Sequence, residues 1–328
     1  MTQTMFGRRG LVAAGLLAAP AVAWGQAAPW PSRPIRIVVP FAAGGNTDAI
    51  ARLTAEMLSE VLGVPAVVEN RAGAGGLIAA EAVSRAAPDG YTLLMAAVAV
   101  LAVAPAAASG PPRFDPVADF TPIALLATNP FVLVVHRSVP ATTLAEYVAL
   151  GRGQSGRVAY ATGGVGSMGH LTTLLFLERA GFEATHVPYR GGGPAMTDVL
   201  AGQVPSYFAN LSEALPHARN PDVRLLAVSG ATRAPQLPDV PTVAEQGFAG
   251  FSTITWNGLV GPARMPPEAV ARINAAVAQR AADPRVQARF LAIGVELAPT
   301  TPAAFGQNIA EDVATYRTLI RTSNITID

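Results

Sequence analysis

The chain has no cysteine and no lysine; all 23 of its basic residues are arginine. The first absence excludes disulfides, thiolate chemistry and cysteine metal sites. The second excludes a Walker-type phosphate-binding lysine and any Schiff-base lysine. The four histidines, His136, His170, His186 and His217, show no His-x-x-x-His or similar spacing, so neither a metal nor a cofactor is expected. Net charge is also missing: 23 basic residues face 22 acidic ones. A chain so close to neutral has no electrostatic footprint for nucleic acid or anionic membrane.

Long hydrophobic runs are few, although 51% of the 328 residues are hydrophobic. The stretch 93–108 is cut by Pro105 and reads as a buried strand with the element after it. The N-terminal stretch has Arg8-Arg9, then an apolar run from Leu11, then small residues. That order is expected of a cleaved twin-arginine export signal over residues 1–27, and the apolar run is short of the ~20 residues that span a bilayer. Cleavage is expected after Ala23 or Ala27, with export to the periplasm. Without Arg8 and Arg9 the 23 basic residues become 21 against 22 acids, a net of −1.

What is present is an alternation. Strand-like runs at 35–39, 66–70 and 91–96 frame helix-like segments at 47–62 and 77–86. In the first helix Ile50, Leu53, Met57 and Val61 recur at helical spacing, and Gly63 and Pro65 mark its end. The order predicts an α/β layer with a mostly parallel sheet. The runs 122–128 and 131–136, joined only by Asn129-Pro130, predict one extended chain crossing between two lobes. A second set follows: helix 142–151, strand 158–162, helix 167–180, strand 185–189, helix 194–201 and strand 223–230. Residues 233–251 read as a long surface connection and 255–267 as a return crossing. Helices at 268–282, 284–292 and 302–322 close the chain as cover.

Three strand-to-helix turns are rich in glycine: "PFAAGGNTDAIAR" (40–52), "TGGVGSMGHL" (162–171) and "YRGGGPAM" (189–196). A helix start leaves backbone N–H groups unpaired, glycines let a ligand approach the backbone, and the helix dipole favours negative charge there. Asn46 or Thr47, and Ser167, are expected as N-caps; Pro194 suits a first helical turn. One such turn merely turns the chain; three, divided between two candidate lobes, point to an anion held in the cleft. Arg190, beside the third turn, is either a partner for a second carboxylate or a solvent-facing cation.

Catalytic alternatives fit less well. The first turn lacks Gly-x-Gly-x-x-Gly. Around Ser167 the chain reads "VGSMG" in place of Gly-x-Ser-x-Gly, and His170 lies too near on the same helix to be its base. An exported α/β serine hydrolase using Ser167 is the alternative to a non-catalytic binder. Asp48 is expected to support the turn rather than touch an anionic ligand, because like charges repel.

From about Trp30 onward the chain resembles the substrate-binding proteins of tripartite tricarboxylate transport, the Bug (Bordetella uptake gene) family. The likeness rests on "WPSRPIRIVVPFAAGGNTDAIAR", "VVENRAGAGG", "DGYTLL", "GSMGHL", "VPYRGGGPAMTDVLAGQV", "LAVSGATRAPQLPDVPTVAEQG" and "TWNGLVGPARMP". It implies a type II periplasmic binding protein-like α/β fold: two lobes, two crossings and a cleft. Lobe 1 would comprise 28–127 plus 251–328, and lobe 2 128–250. It implies a monomeric receptor that holds a small carboxylic acid, either a dicarboxylate or an aromatic or aliphatic acid, and delivers it to membrane transporter subunits, or signals it to a sensor protein. Carried onto this chain, the ligand residues are Phe41, Ala43, Gly44, Gly45, Asn46, Thr47 and Asp48 in the first turn. Thr162, Gly163, Gly164, Gly166, Ser167 and His170 form the second, and Asn129, Tyr189, Arg190 and Asn210 line the cleft. The apolar segment after "YTLLMA" tilts the expectation to an aromatic or aliphatic acid with one apolar face, with Phe41 and Tyr189 as walls.

Overall fold

The computed structural model describes residues 1–2, 29–107, 110 and 113–322. All but the first two residues of the export signal expected over 1–27 lie outside the described residues. Among the described residues, no helix is long and apolar enough to cross a membrane.

The first α/β unit runs β1 (Ile35–Val39), α1 (Asn46–Leu62), β2 (Ala66–Asn70), α2 (Leu77–Ser84) and β3 (Thr92–Ala97). β1 lies between β2 and β3 and is parallel to both. Ile35, Ile37, Val38 and Val39 are buried, as a parallel strand covered on both faces requires. α1 buries Ile50, Met57 and Leu58 on one stripe. It ends at Gly63, whose φ of 72° an L side chain would resist. After β3 the apolar run becomes a buried π-helical segment, Ala99–Val103, and then α3 (Ala104–Ala107).

β4 (Phe120–His136) is a single strand of 17 residues. Its first part, up to Pro130, pairs antiparallel with β9 (Ile254–Pro262). From Phe131 it pairs antiparallel with β7 (Ser206–Asn210), and from Val132 with β8 (Val223–Val228). Pro130, which has no N–H to give, stands where one set of partners ends and the other begins. The crossing expected at Asn129-Pro130 is this strand.

The second unit comprises α4 (Leu144–Gly153), β5 (Ala159–Thr162), α5 (Met168–Ala180), β6 (Thr185–Pro188), α6 (Gly192–Leu200), β7, α7 (Leu211–Ala214) and β8. β5 is parallel to β6 and β7. The chain closes through β9, α8 (Pro267–Ala281), α9 (Pro284–Ala292), β10 (Glu296–Leu297) and α10 (Pro302–Thr322). The strand path is β2-β1-β3-β9-β4-β7-β5-β6, with β8 and β10 also on β4. The largest buried cluster holds residues of both units, Val38, Leu94 and Val100 with Leu133, Phe176 and Phe208, and each unit adds a smaller core of its own. Ile37, Ile50, Leu93, Leu126 and Ile273 pack in the first; Val132, Val199, Tyr207 and Val228 pack in the second.

Three expectations need correction. The sheet is mixed, not mostly parallel: the crossing strands β4 and β9 run against their neighbours, and parallel pairs survive only on the flanks. β7 and β10 were not expected at all; β10 is two residues long, and β7 (SYFAN) has no apolar run like that of the equally short β1. The N-cap of α1 is Gly45, with no side-chain cap bond, rather than Asn46 or Thr47. Ser167 does cap α5, its Oγ accepting from His170 N at 3.2 Å.

Candidate functional site

The carboxyl ends of β1 and β5 and the starts of α1, α5 and α6 converge on one cavity with about 480 Å³ of atom-free space. Phe41, Gly45, Asn46, Thr47, Gly163, Ser167 and Asn210, all expected from the sequence, line it. Ala97, Ala99, Phe131 and Met168 give it an apolar side. Among the lining residues there is no cation, and Glu213 is the one carboxylate.

The two units touch across this cavity. Ala42 N donates to Arg190 O at 3.0 Å. Glycine makes the approach possible: a Cβ on Gly191 would stand 3.1 Å from Ala42 N, and one on Gly193 3.1 Å from Ala43 O.

Asn46 is the densest junction. Its Nδ2 donates to Asn257 Oδ1 on β9 at 2.9 Å. Its Oδ1 accepts from Asn129 Nδ2 on β4 at 3.1 Å and from Ser212 Oγ on α7 at 2.7 Å. That is why it does not cap its own helix. Its backbone N–H goes instead to Glu213 Oε1 at 3.0 Å. Glu213 Oε2 accepts from Tyr207 OH at 2.8 Å and Asn210 N at 3.1 Å. Burial pushes the Glu213 carboxyl above its usual value, and the donors of Asn46, Tyr207 and Asn210 pull it back only in part.

Sequence reasoning missed Glu213. A signal existed: Asn210-Leu211-Ser212-Glu213 has the spacing of a capping box, which also marks the end of β7.

Asp48 faces away from the cavity into its own turn. Oδ2 accepts from Gly44 N at 3.0 Å and Arg52 Nε at 2.9 Å, and Oδ1 accepts from Asn70 Nδ2 at 3.0 Å. Burial works to raise its pKa, but the bonds from Arg52, Gly44 and Asn70 outweigh it and hold the carboxyl below its usual value. Ala43, Gly44, Asn129, Thr162, Gly166 and His170 likewise do not line the cavity; Ala43 and Gly44 are exposed, and the other four are buried. Thr162 Oγ1 meets His186 Nε2 at 2.7 Å. The His170 and His186 rings stack at 4.0 Å. Burial, and after it the neighbouring His186, hold His170 down at about 3.

Tyr189, Arg190 and Gly164 line a second, open recess that shares Phe41 and Gly163 with the cavity. Tyr189 OH donates to Asp198 Oδ2 at 2.6 Å. The exposed Arg190 has no ion pair among the described residues. Among the described residues no side chain is hydrogen-bonded to Ser167 Oγ, which accepts the His170 amide, while the His170 ring packs on His186.

Residues 50–325 match the family model described as "Tripartite tricarboxylate transporter family receptor". The chain is similar to Protein BugT of Bordetella pertussis, 34% identical over 293 residues, covering 89% of this chain and 90% of that one. A Rhodopseudomonas palustris protein solved with adipate superposes with a TM-score of 0.87 at 34% identity, covering 90% of this chain and 99% of the other. MatC of the same species, solved with bound malate, superposes at 0.83 with 33% identity, covering 89% and 100%.

Proposed function

This chain belongs to the tripartite tricarboxylate transporter receptor family, and on that premise we propose that it captures a small carboxylic acid in the periplasm and passes it on unchanged. Its fold is that of the family's solved receptors, two α/β lobes facing a cleft. The observation that carries the reading is the convergence of three glycine-lined helix starts on one cavity with no cation in its wall. Backbone N–H groups and hydroxyls, Ser167 and Thr47 among them, would hold the carboxylate. Phe41, Phe131 and Met168 would cover its apolar part. The related structures with adipate and malate support this class of ligand.

We assign Phe41, Gly45, Asn46, Thr47, Gly163, Ser167 and Asn210 to the ligand wall, and Asp48, Asn129, Thr162 and His170 to its support. We place lobe 1 at 28–127 plus 251–328 and lobe 2 at 128–250, with closure by hinge motion at β4 and β9. The acceptor of the cargo is a membrane transporter subunit.

Melting the purified receptor with a panel of carboxylic acids tests the function. A bound acid raises the melting temperature by mass action, and no rise with any acid up to about millimolar concentration would count against the proposal.

A further inference from the structure

The wall of the ligand cavity already contains a carboxyl group that accepts three hydrogen bonds. Glu213 is 8% exposed, lines the cavity, and sends Oε1 across to the first N–H of α1 at 3.0 Å. The backbone is shaped around it: a Cβ on Gly192 would stand 2.0 Å from Glu213 Oε1, and one on Gly45 would stand 3.3 Å from the same atom. All three of its bonded neighbours, Asn46 N, Tyr207 OH and Asn210 N, donate to it. No arginine lines the cavity to offset a further negative charge. One of the three helix starts, that of α1, is thus filled by the protein's own carboxylate, and a ligand carboxylate is left with the starts of α5 and α6.

We propose that Glu213 is a specificity-determining residue that restricts this receptor to acids with a single carboxylate, whose far end is uncharged and lies beside Phe41 and Phe131. This rests on the receptor reading above. The dicarboxylates of the related structures carry one charge too many for this wall. A second carboxylate brought beside Glu213 would face a like charge with little water to screen it, a penalty of about ten- to a hundred-fold in affinity.

The test is calorimetric titration of the purified receptor with chain-matched pairs, hexanoate against adipate and benzoate against terephthalate. The wild type should bind the tighter monoacid at least about ten-fold better than its matched diacid. Glu213→Gln, which keeps the shape and removes the charge, should close most of that gap by gaining affinity for the diacid. Glu213→Asp, which keeps the charge, should retain the preference. A diacid that binds the wild type as well as or better than its monoacid overturns the inference and leaves the receptor reading intact. This wild-type ratio decides the matter even if neither variant folds. If no acid of either kind binds, the receptor reading falls, and the inference with it.

Discussion

Ser212 Oγ donates to Asn46 Oδ1 at 2.7 Å, joining residues 166 positions apart and closing the second unit onto the first. Asn129 and Asn257 bind the same amide. Asn46→Ala would strand three polar groups, two of them on the buried Asn129 and Asn257. The expected cost is about 2–4 kcal/mol of unfolding free energy, from unsatisfied groups at about 1–3 kcal/mol each with part recovered by water. Urea unfolding measures it; a loss below about 0.5 kcal/mol would show that the junction is dispensable.

Gly192 has no positive φ to defend, so Gly192→Ala isolates a steric effect. Its methyl group would meet the Glu213 carboxylate at 2.0 Å. Overpacking of this kind costs about 1–3 kcal/mol. Binding of whichever acid the panel identifies should weaken by about ten-fold or more, with far-ultraviolet circular dichroism unchanged. Unaltered affinity would mean the wall yields at no cost.

Ser167→Ala removes the cap of α5. It should lower stability by about 1 kcal/mol and weaken acid binding. Neither form should turn over an ester or take up a covalent serine probe. Labelling of the wild type alone would revive the hydrolase reading.

His170 is held at about 3, far below an unfolded imidazole, and burial also lowers His186. Their contribution to stability is fully present above the unfolded value of about 6.5 and is lost as pH falls from there toward the folded value. His170→Phe keeps a ring against His186 and removes one titration. Between about pH 7 and pH 4 its melting temperature should fall less than that of the wild type. Parallel melting curves would contradict the buried neutral imidazole.

Asp48 has the opposite dependence to Glu213. Its folded pKa lies below the usual value, so its contribution is present above the unfolded value of about 3.9 and disappears as pH falls. Asp48→Asn should destabilise at neutral pH, weaken acid binding modestly, and cost little near about pH 3. A large gain in affinity would mean that the Asp48 charge opposes the ligand directly.

The repeating strand-to-helix order was legible because periodicity and glycine punctuation are local. Ile50, Met57 and Gly63 announce α1 within a single segment. The glycine turns announced the cavity for the same reason, since a helix start carries its donors wherever it lies. What could not be read was the diversion of Asn46. Its partners Asn257 and Asn129 are 211 and 83 positions away, and long-range pairing leaves no local trace. Glu213 has both aspects: its bond to Asn210 follows from spacing, whereas its bond to Asn46, 167 positions away, follows only from the fold.

The unbroken β4 has a mechanical consequence. At about 3.4 Å per residue, a strand of this length reaches nearly 60 Å, and it pairs with β9 up to Pro130 and with β7 and β8 beyond it, so one strand runs through both units. Such a joint is stiff to stretching and shear but compliant to bending. The hinge proposed above would let the units swing without drifting apart. Whatever engages this molecule from outside would then have one coordinate, an angle, on which to distinguish a loaded receptor from an empty one.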